Sequence, residues 1–378
     1  MSEWKTYKWG DLISLEYGKP IPDKNLLDGQ YPVYGTNGRI GTSNLTPLCK
    51  HPSIIVGRKG AYRGVHYSNK PFSVIDTAFF IEPKTSILDL KWAYYKLLTV
   101  DINKMDSGSA IPSTDRYEIY SLSVELPPLE EQQRIAGILG SLDDKIELNR
   151  RINANLEAQA QALFQSWFVD FEPFRDGPFV DSQLGKIPQG WKVEALSNLA
   201  TVIKKGITPS NAETYSHYSI PAYDDAHFPE KQSGETIKSG KYIVYNNSIL
   251  LSKLNPRIKR LWFIKTAEEN AICSTEFIPI QTKDTDLISF VYYLIDNDIF
   301  YQHALSWVNG ATGSHQRFHA EDIMQIPFAW NKDAAIDFAQ KANYILQKIE
   351  DNIRENQTLS ALRDTLLPKL MAGEINIE

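Results

Sequence analysis

Cysteine is nearly missing from this sequence. Cys49 and Cys273 are the only two in 378 residues, which excludes a disulfide framework and a Cys-rich metal site, so both are expected as ordinary buried thiols. Long apolar runs are missing too: MSEWKTYKWG holds none long enough for a signal peptide, and no later stretch approaches a membrane span. A soluble, cytoplasmic protein is the expectation. Phosphate-cradling loops are also lacking, with no G-x-x-x-x-G-K-[ST] and no G-x-G-x-x-G after a strand. Among the seven histidines, His315 and His319 alone have ligand-like spacing, and no Glu or third ligand stands beside them. Asp76 with Glu82-Pro83-Lys84 is too tightly spaced for the acid, acid-x-Lys pattern of metal-dependent nucleases. Asn255-Pro256-Arg257-Ile258 lacks the second Pro and the aromatic with which amino-methyltransferases hold an extruded base. No catalytic or metal-binding residue is assigned; a nuclease or methyltransferase with degenerate motifs would reveal itself by activity of the pure chain.

Acidic residues are missing from two long tracts. The net charge of -6 speaks against a nucleic-acid partner, yet Gly29 to Ile75 has no Asp or Glu and holds Arg39, Lys50, Arg58, Lys59, Arg63 and Lys70. Thr236 to Ala267 has none either and holds Lys238, Lys241, Lys253, Arg257, Lys259, Arg260 and Lys265. Interleaved aromatics and small polar residues make each tract a candidate phosphate-backbone surface.

What the sequence does have is helix former in long supply. Leu129 to about Phe168 contains no Pro and only Gly137 and Gly140, both near its start, so it is expected as one long helix. Pro127-Pro128 and Glu130-Glu131 suit its N-terminus; Pro173 and Gly177-Pro178 set its end. Leu142, Ile146, Asn149, Asn153, Leu156, Ala160, Leu163 and Trp167 recur at alternating spacings of four and three, a coiled-coil seam. Lys145 to Phe164 has a gapless counterpart at Lys348 to Leu367, which matches Ile146 with Ile349, Asn149 with Asn352, Asn153 with Asn356, Leu156 with Leu359 and Leu163 with Leu366. Two such helices, each with Asn at the same seam positions, are expected to pair with each other.

The rest of the chain repeats as well. SILLSK echoes SIIVGR, STEFIPI echoes DTAFFIE, and LISFVYYLI echoes LKWAYYKLL. The expected plan is an α+β fold: residues 1–128 a first domain, 129–171 the first helix, 172–190 a Pro- and Gly-rich linker, 191–330 a second domain and 331–378 the second helix. In the first domain Trp4 to Tyr17 is expected as a helix or turn, and SIIVG and VIDTAFFIE as strands around the loop GRKGAYRG. Gly137 and Gly140 are expected to loosen the first helix or to mark close contact with a partner. Pro368 is expected to kink or end the second helix, and Met371 to Glu378 to fold back on the first domain.

LPPLEEQQRIAGILGSLDDKIELNRRINANLEAQAQALFQSWFVDFEPF, LGKIPQGWKVEALSNL and TLLPKLMAGEI resemble the specificity subunit of type I restriction-modification systems, over essentially the whole chain. The resemblance implies two target-recognition domains that read a bipartite site on double-stranded DNA, with an antiparallel coiled coil as spacer and docking platform. It implies modification subunits with S-adenosylmethionine chemistry at adenine N6, and restriction subunits that use ATP and Mg²⁺. It implies no cofactor and no catalysis in this chain. The competing reading is a stand-alone two-domain DNA-binding regulator.

Base reading is expected from loops, which can enter a groove and present paired donors. The candidates are Tyr34, Thr36, Asn37, Arg58, Lys59, Tyr62, Arg63 and Ser109 in the first domain. In the second they are Tyr223, Lys253, Asn255, Arg257, Lys259, Thr312, Ser314, His315, Gln316 and Arg317. A helix of roughly 40 residues spans about 60 Å. Half-sites about one turn of DNA apart, about 34 Å or somewhat more, are therefore expected.

Overall fold

The computed structural model describes residues 4–22, 26, 29–105, 112–308 and 316–375. The chain divides into two compact units, Met1–Lys145 with Leu359–Glu378, and Ile146–Thr358.

In the first unit a four-stranded antiparallel sheet runs in the order Ile13–Tyr17, Ala78–Pro83, Ser53–Gly57, Val65–Ser68. A second sheet runs Gly38–Ser43, Tyr31–Gly35, Ser73–Val74, its last pair parallel. The central strands are buried on both faces, which is why their sequences are unbroken apolar runs rather than alternations. Ile54, Val56, Phe79 and Ile81 face a core with Trp9, Leu12 and Trp92, while Ile55, Ala78 and Phe80 face a smaller one with Cys49, Phe72 and Val74. Trp4 to Tyr17 departs from expectation. It forms a strand Lys5–Lys8, one helical turn Trp9–Leu12 and a strand Ile13–Tyr17, because pairing with Ala78–Pro83 buries Ile13 and Leu15 on one face.

The second unit repeats the order with Ala200–Val202, Phe277–Thr282, Ser248–Ser252 and Leu261–Ile264. Its other sheet has five strands, Gly206–Ile207, Lys241–Ile243, Ala271–Ser274, Thr214–Tyr218 and Glu230–Ser233. Gly57 pairs with Ala78, and its counterpart Ser252 pairs with Phe277. Ala78 therefore corresponds to Phe277, so the counterpart of DTAFFIE is TEFIPIQ, one residue along from the STEFIPI that the sequences suggest. A one-residue slip would exchange the two faces of the strand, which burial on both sides forbids. Segment 172–190 carries a hairpin, Phe179–Ser182 with Gly185–Pro188, whose Ile187 is buried in the second core.

Two helices of 40 residues each, Leu129–Phe168 and Lys332–Met371, run from one unit into the other along the chain. In the first unit Ile135, Ala136 and Leu139 of one and Leu370 and Met371 of the other join the core of the first domain. The second helix continues three residues past Pro368, and Lys96 Nζ donates to the Met371 carbonyl at 2.7 Å. Gly140 is a close-contact position inside its own domain: a Cβ there would lie 2.9 Å from Lys91. In the second unit Ala160, Phe164 and Phe168 pack with Phe338, Ala342, Leu346 and Phe290.

The two helices are antiparallel. Asn149 Nδ2 donates to Asn356 Oδ1 at 2.9 Å, and Asn352 Nδ2 donates to Asn153 Oδ1 at 2.7 Å. The internal repeat equates Asn149 with Asn352 and Asn153 with Asn356, so each bond is the symmetry copy of the other. Asn149 and Asn352 are buried and Ile146 beside them is too, and the seam residues Leu142, Leu156, Leu163, Ile349, Leu359 and Leu366 are partly buried. Among the described residues no helix is long and apolar enough to cross a membrane.

Candidate nucleic-acid interface

In the first domain the turn at 35–38 and the loop at 57–64 are stitched into one surface. Gly64 N donates to Thr36 O at 3.0 Å, and Thr36 Oγ1 donates to the carbonyls of Lys59 at 2.6 Å and Thr77 at 2.8 Å. A Cβ on Gly57 would stand 2.4 Å from the Thr36 carbonyl, so only glycine lets the two segments meet. The following loop closes on the same place: Thr114 N donates to Arg58 O at 2.8 Å, and Lys59 bridges to Ser113.

The second domain builds the same junction from different side chains. Phe318 N donates to Lys253 O at 3.2 Å, and Leu254 bridges to Arg317. Arg58 corresponds to Lys253 and Ser113 to Arg317. Asn255 turns the loop in the left-handed region at φ 47°, and its N–H donates to Gln316 O at 3.2 Å.

Several candidates keep their polar groups available. Tyr62 is 79% exposed. Asn37 and Arg257 are exposed, Lys253 and Asn255 half-buried, and none of these five side chains makes a hydrogen bond or ion pair among the described residues. Lys59 sits 3.6 Å from Asp76 in an open ion pair that water screens. Arg58 lies 4.8 Å over the ring of Tyr17 and 5.7 Å from that of Phe79, and donates to Asp76 O at 3.1 Å. Stacking fixes the guanidinium plane and leaves part of its donor edge for a phosphate or a base. Arg317 is held by Glu276 at 3.1 Å, and Gln316 stands beside it.

Other candidates are spent inside the domains. Arg63 is 3% exposed and donates to the carbonyls of Ile102, Asn103 and Met105 at 2.8 to 3.1 Å; it anchors the 102–105 segment and cannot reach DNA. Lys259 is tied to Asp296 at 2.8 Å and lies 5.5 Å over Tyr301. Tyr223 exchanges hydrogen bonds with the backbone of Leu261 and packs on Trp262. Tyr34 packs edge-on against Phe72. The hydroxyl of Thr36 is consumed in the stitch described above. Apolar neighbours and long side chains in these tracts let cations turn inward, a choice that charge counting along the chain does not register. Ser109, Thr312, Ser314 and His315 lie outside the described residues.

Three further residues join the first-domain surface. Arg116 lies 5.1 Å from the ring of Tyr17 and 4.9 Å from that of Tyr117, so Tyr17 contacts both Arg58 and Arg116. His66 sits beneath the turn, 3.6 Å from a Cβ that Gly38 lacks, and burial lowers its pKa so the neutral ring prevails. Tyr17 ends a stretch whose sequence suggests a helix or turn; the pairing of its strand with Ala78–Pro83 is what brings it to the loop.

The chain thus holds two α+β domains of one strand order, each presenting a polar loop junction, and two long helices that pair antiparallel through Asn149, Asn153, Asn352 and Asn356. The chain is similar to specificity subunits of type I restriction-modification systems. Residues 1–158 match the family described as "Type I restriction modification DNA specificity domain". The chain is 27% identical to the HindI specificity subunit of Haemophilus influenzae, over 99% of this chain and 100% of that protein. It is 27% identical to the MjaIX specificity subunit of Methanocaldococcus jannaschii, over 79% of this chain and 72% of that one. The crystal structure of a type I system S subunit from M. genitalium shares the fold, with a TM-score of 0.60 at 16% identity over 98% of this chain and 96% of that one.

Proposed function

We propose that this chain is the DNA-reading subunit of a type I restriction-modification complex, with each domain reading one part of a split duplex sequence and no catalysis of its own. The observation that carries the reading is the repeated junction: both domains bring a basic turn and a polar loop to the same strand ends while filling them with different side chains. A shared scaffold with different loop residues suits two different half-sites. Modification subunits dock on the helices and supply S-adenosylmethionine-dependent adenine N6 methylation; restriction subunits supply the ATP- and Mg²⁺-dependent steps. The complex works in the cytoplasm, where the chromosome is.

The test is a genome-wide map of N6-methyladenine with the gene intact and deleted. Loss of methylation at one split motif on deletion is the expected result, and the motif reports both half-sites and the spacer. An unchanged map in an expressing host would overturn the reading in favour of a stand-alone DNA-binding regulator.

A further inference from the structure

We infer that Cys49, His51 and Glu82 form a zinc-type divalent cation site at one corner of the first domain. His51 Nε2 lies 3.8 Å from Cys49 Sγ and 2.9 Å from Glu82 Oε2, and the three donor atoms all lie within 4.8 Å of one another. The other ring nitrogen, Nδ1, is 3.0 Å from the Pro52 carbonyl. That contact keeps a hydrogen on Nδ1, so that on loss of the other ring proton the Nε2 lone pair faces the thiol and the carboxylate. Such a backbone partner is what orients a metal-bound imidazole.

The geometry excludes a nucleophile relay. A thiol activated by a base needs the acid on the opposite ring nitrogen, whereas here thiol and carboxylate meet the same one. The Cys49 thiol donates to the His51 carbonyl at 3.3 Å and becomes a ligand once it loses that hydrogen, while His51 Nε2 and Glu82 Oε2, 2.9 Å apart, need a positive charge between them. A proton on Nε2 supplies it in the simplest case, and a cation about 2.0–2.3 Å from S, N and O supplies it better, since zinc takes all three donor types. Binding would release one proton from the thiol, which burial holds at about 11, and one from the imidazolium. The side chains of His51 and Glu82 are each 40% exposed, which leaves an entry path and a fourth position for water.

The fold does not demand this set. Strand register places Val244, Asn246 and Gln281 at the equivalent positions of the second domain, because Glu82 pairs with Ser14 as Gln281 pairs with Thr201. There the corner closes through a hydrogen bond from Gln281 Nε2 to Asn246 O at 3.2 Å. In the first domain Cys49 bridges to Phe72 beside the three-stranded sheet, and Glu82 stands on the central strand of the four-stranded one. A cation would tie the two sheets together, at the far end of strand Ser53–Gly57 from the loop at 57–64. Its effect is on stability rather than on DNA contact.

The test is titration of the chelator-stripped full chain with Co²⁺, then Zn²⁺. Expected are one equivalent of Co²⁺ with a thiolate-to-metal charge-transfer band, displacement by Zn²⁺, and a rise in the midpoint of thermal unfolding. Cys273→Ser keeps the band and Cys49→Ser loses it. His51→Ala and Glu82→Gln, at half-exposed positions that tolerate change, keep the circular dichroism of the parent but bind at least about tenfold more weakly. Absence of the band in the parent chain, or equal affinity in His51→Ala and Glu82→Gln, overturns the site.

Discussion

At the scale of single residues, the fate of a cation is decided by what lies within reach of its side chain. Arg63 and Tyr62 are neighbours in sequence and opposite in role. Arg63→Met strips three carbonyls of a charged donor and is expected to cost about 2–4 kcal/mol in urea unfolding of the first domain. Tyr62→Ala, at an open position, should change stability by no more than about 0.5 kcal/mol yet weaken DNA binding by the assembled complex by about 1 kcal/mol or more. Equal DNA affinity in Tyr62→Ala would remove the 57–64 loop from the interface. Glu157 gives a prediction in pH. Burial, then the charge of Asp296, raises its pKa from 4.5 to about 7 in the folded chain. The unfolded chain therefore ionises first, and folding loses stability as pH climbs from about 4.5 to about 7, by about 2–3 kcal/mol in all. The urea midpoint of the second domain should fall across that window and level off above it, and Glu157→Gln should flatten the fall.

At the scale of elements, the helix pair carries its own register mark. A leucine seam alone would tolerate sliding by a heptad, whereas the amides of Asn149 and Asn352 are satisfied only opposite Asn356 and Asn153. Double-mutant cycles to Ala on Asn149 with Asn356, and on Asn352 with Asn153, should each return a coupling of about 0.5–1.5 kcal/mol. The two couplings should agree within about 0.5 kcal/mol, since the repeat makes them equivalent. The neighbours do break the symmetry: Glu355 also accepts from Asn149 at 2.8 Å. The same symmetry is broken where Arg354 grips Glu350 and Glu268, while its repeat partner Arg151 is exposed.

At the scale of the whole molecule, the proposed reading makes helix length a determinant of the DNA site. Removal of seven residues from each helix, in register so that the Asn pairs are kept, takes away about 10 Å of helix at about 1.5 Å per residue. The unread spacer in the methylated motif should shrink by about three base pairs, at about 3.4 Å each, with both half-sites unchanged. A spacer of the original length would sink the link between helix length and spacing. Exchange of loop residues such as Lys253, Asn255 and Arg257 should instead alter one half-site and leave the spacer and the other half-site as they are.

The sequence alone determined the long helices, their seam and their Asn positions, because helical periodicity and repeat are one-dimensional properties carried by local spacing. It also determined the duplicated order of strands and loops, since unbroken apolar runs bounded by turn residues survive without any knowledge of partners. Only tertiary structure decided which cations face water. Arg58 and Arg63 are separated by five positions in one loop, yet one stacks on Tyr17 and the other is enclosed by three carbonyls, a difference set by segments around 17 and 102 far away in the chain. Tertiary structure likewise decided that Trp4 to Tyr17 is mostly strand, through pairing with Ala78–Pro83, and that Cys49 and Cys273 are not equivalent. Strand pairing couples residues distant in sequence, so its register, and every side chain whose direction depends on it, is fixed only when the partner strand is in place.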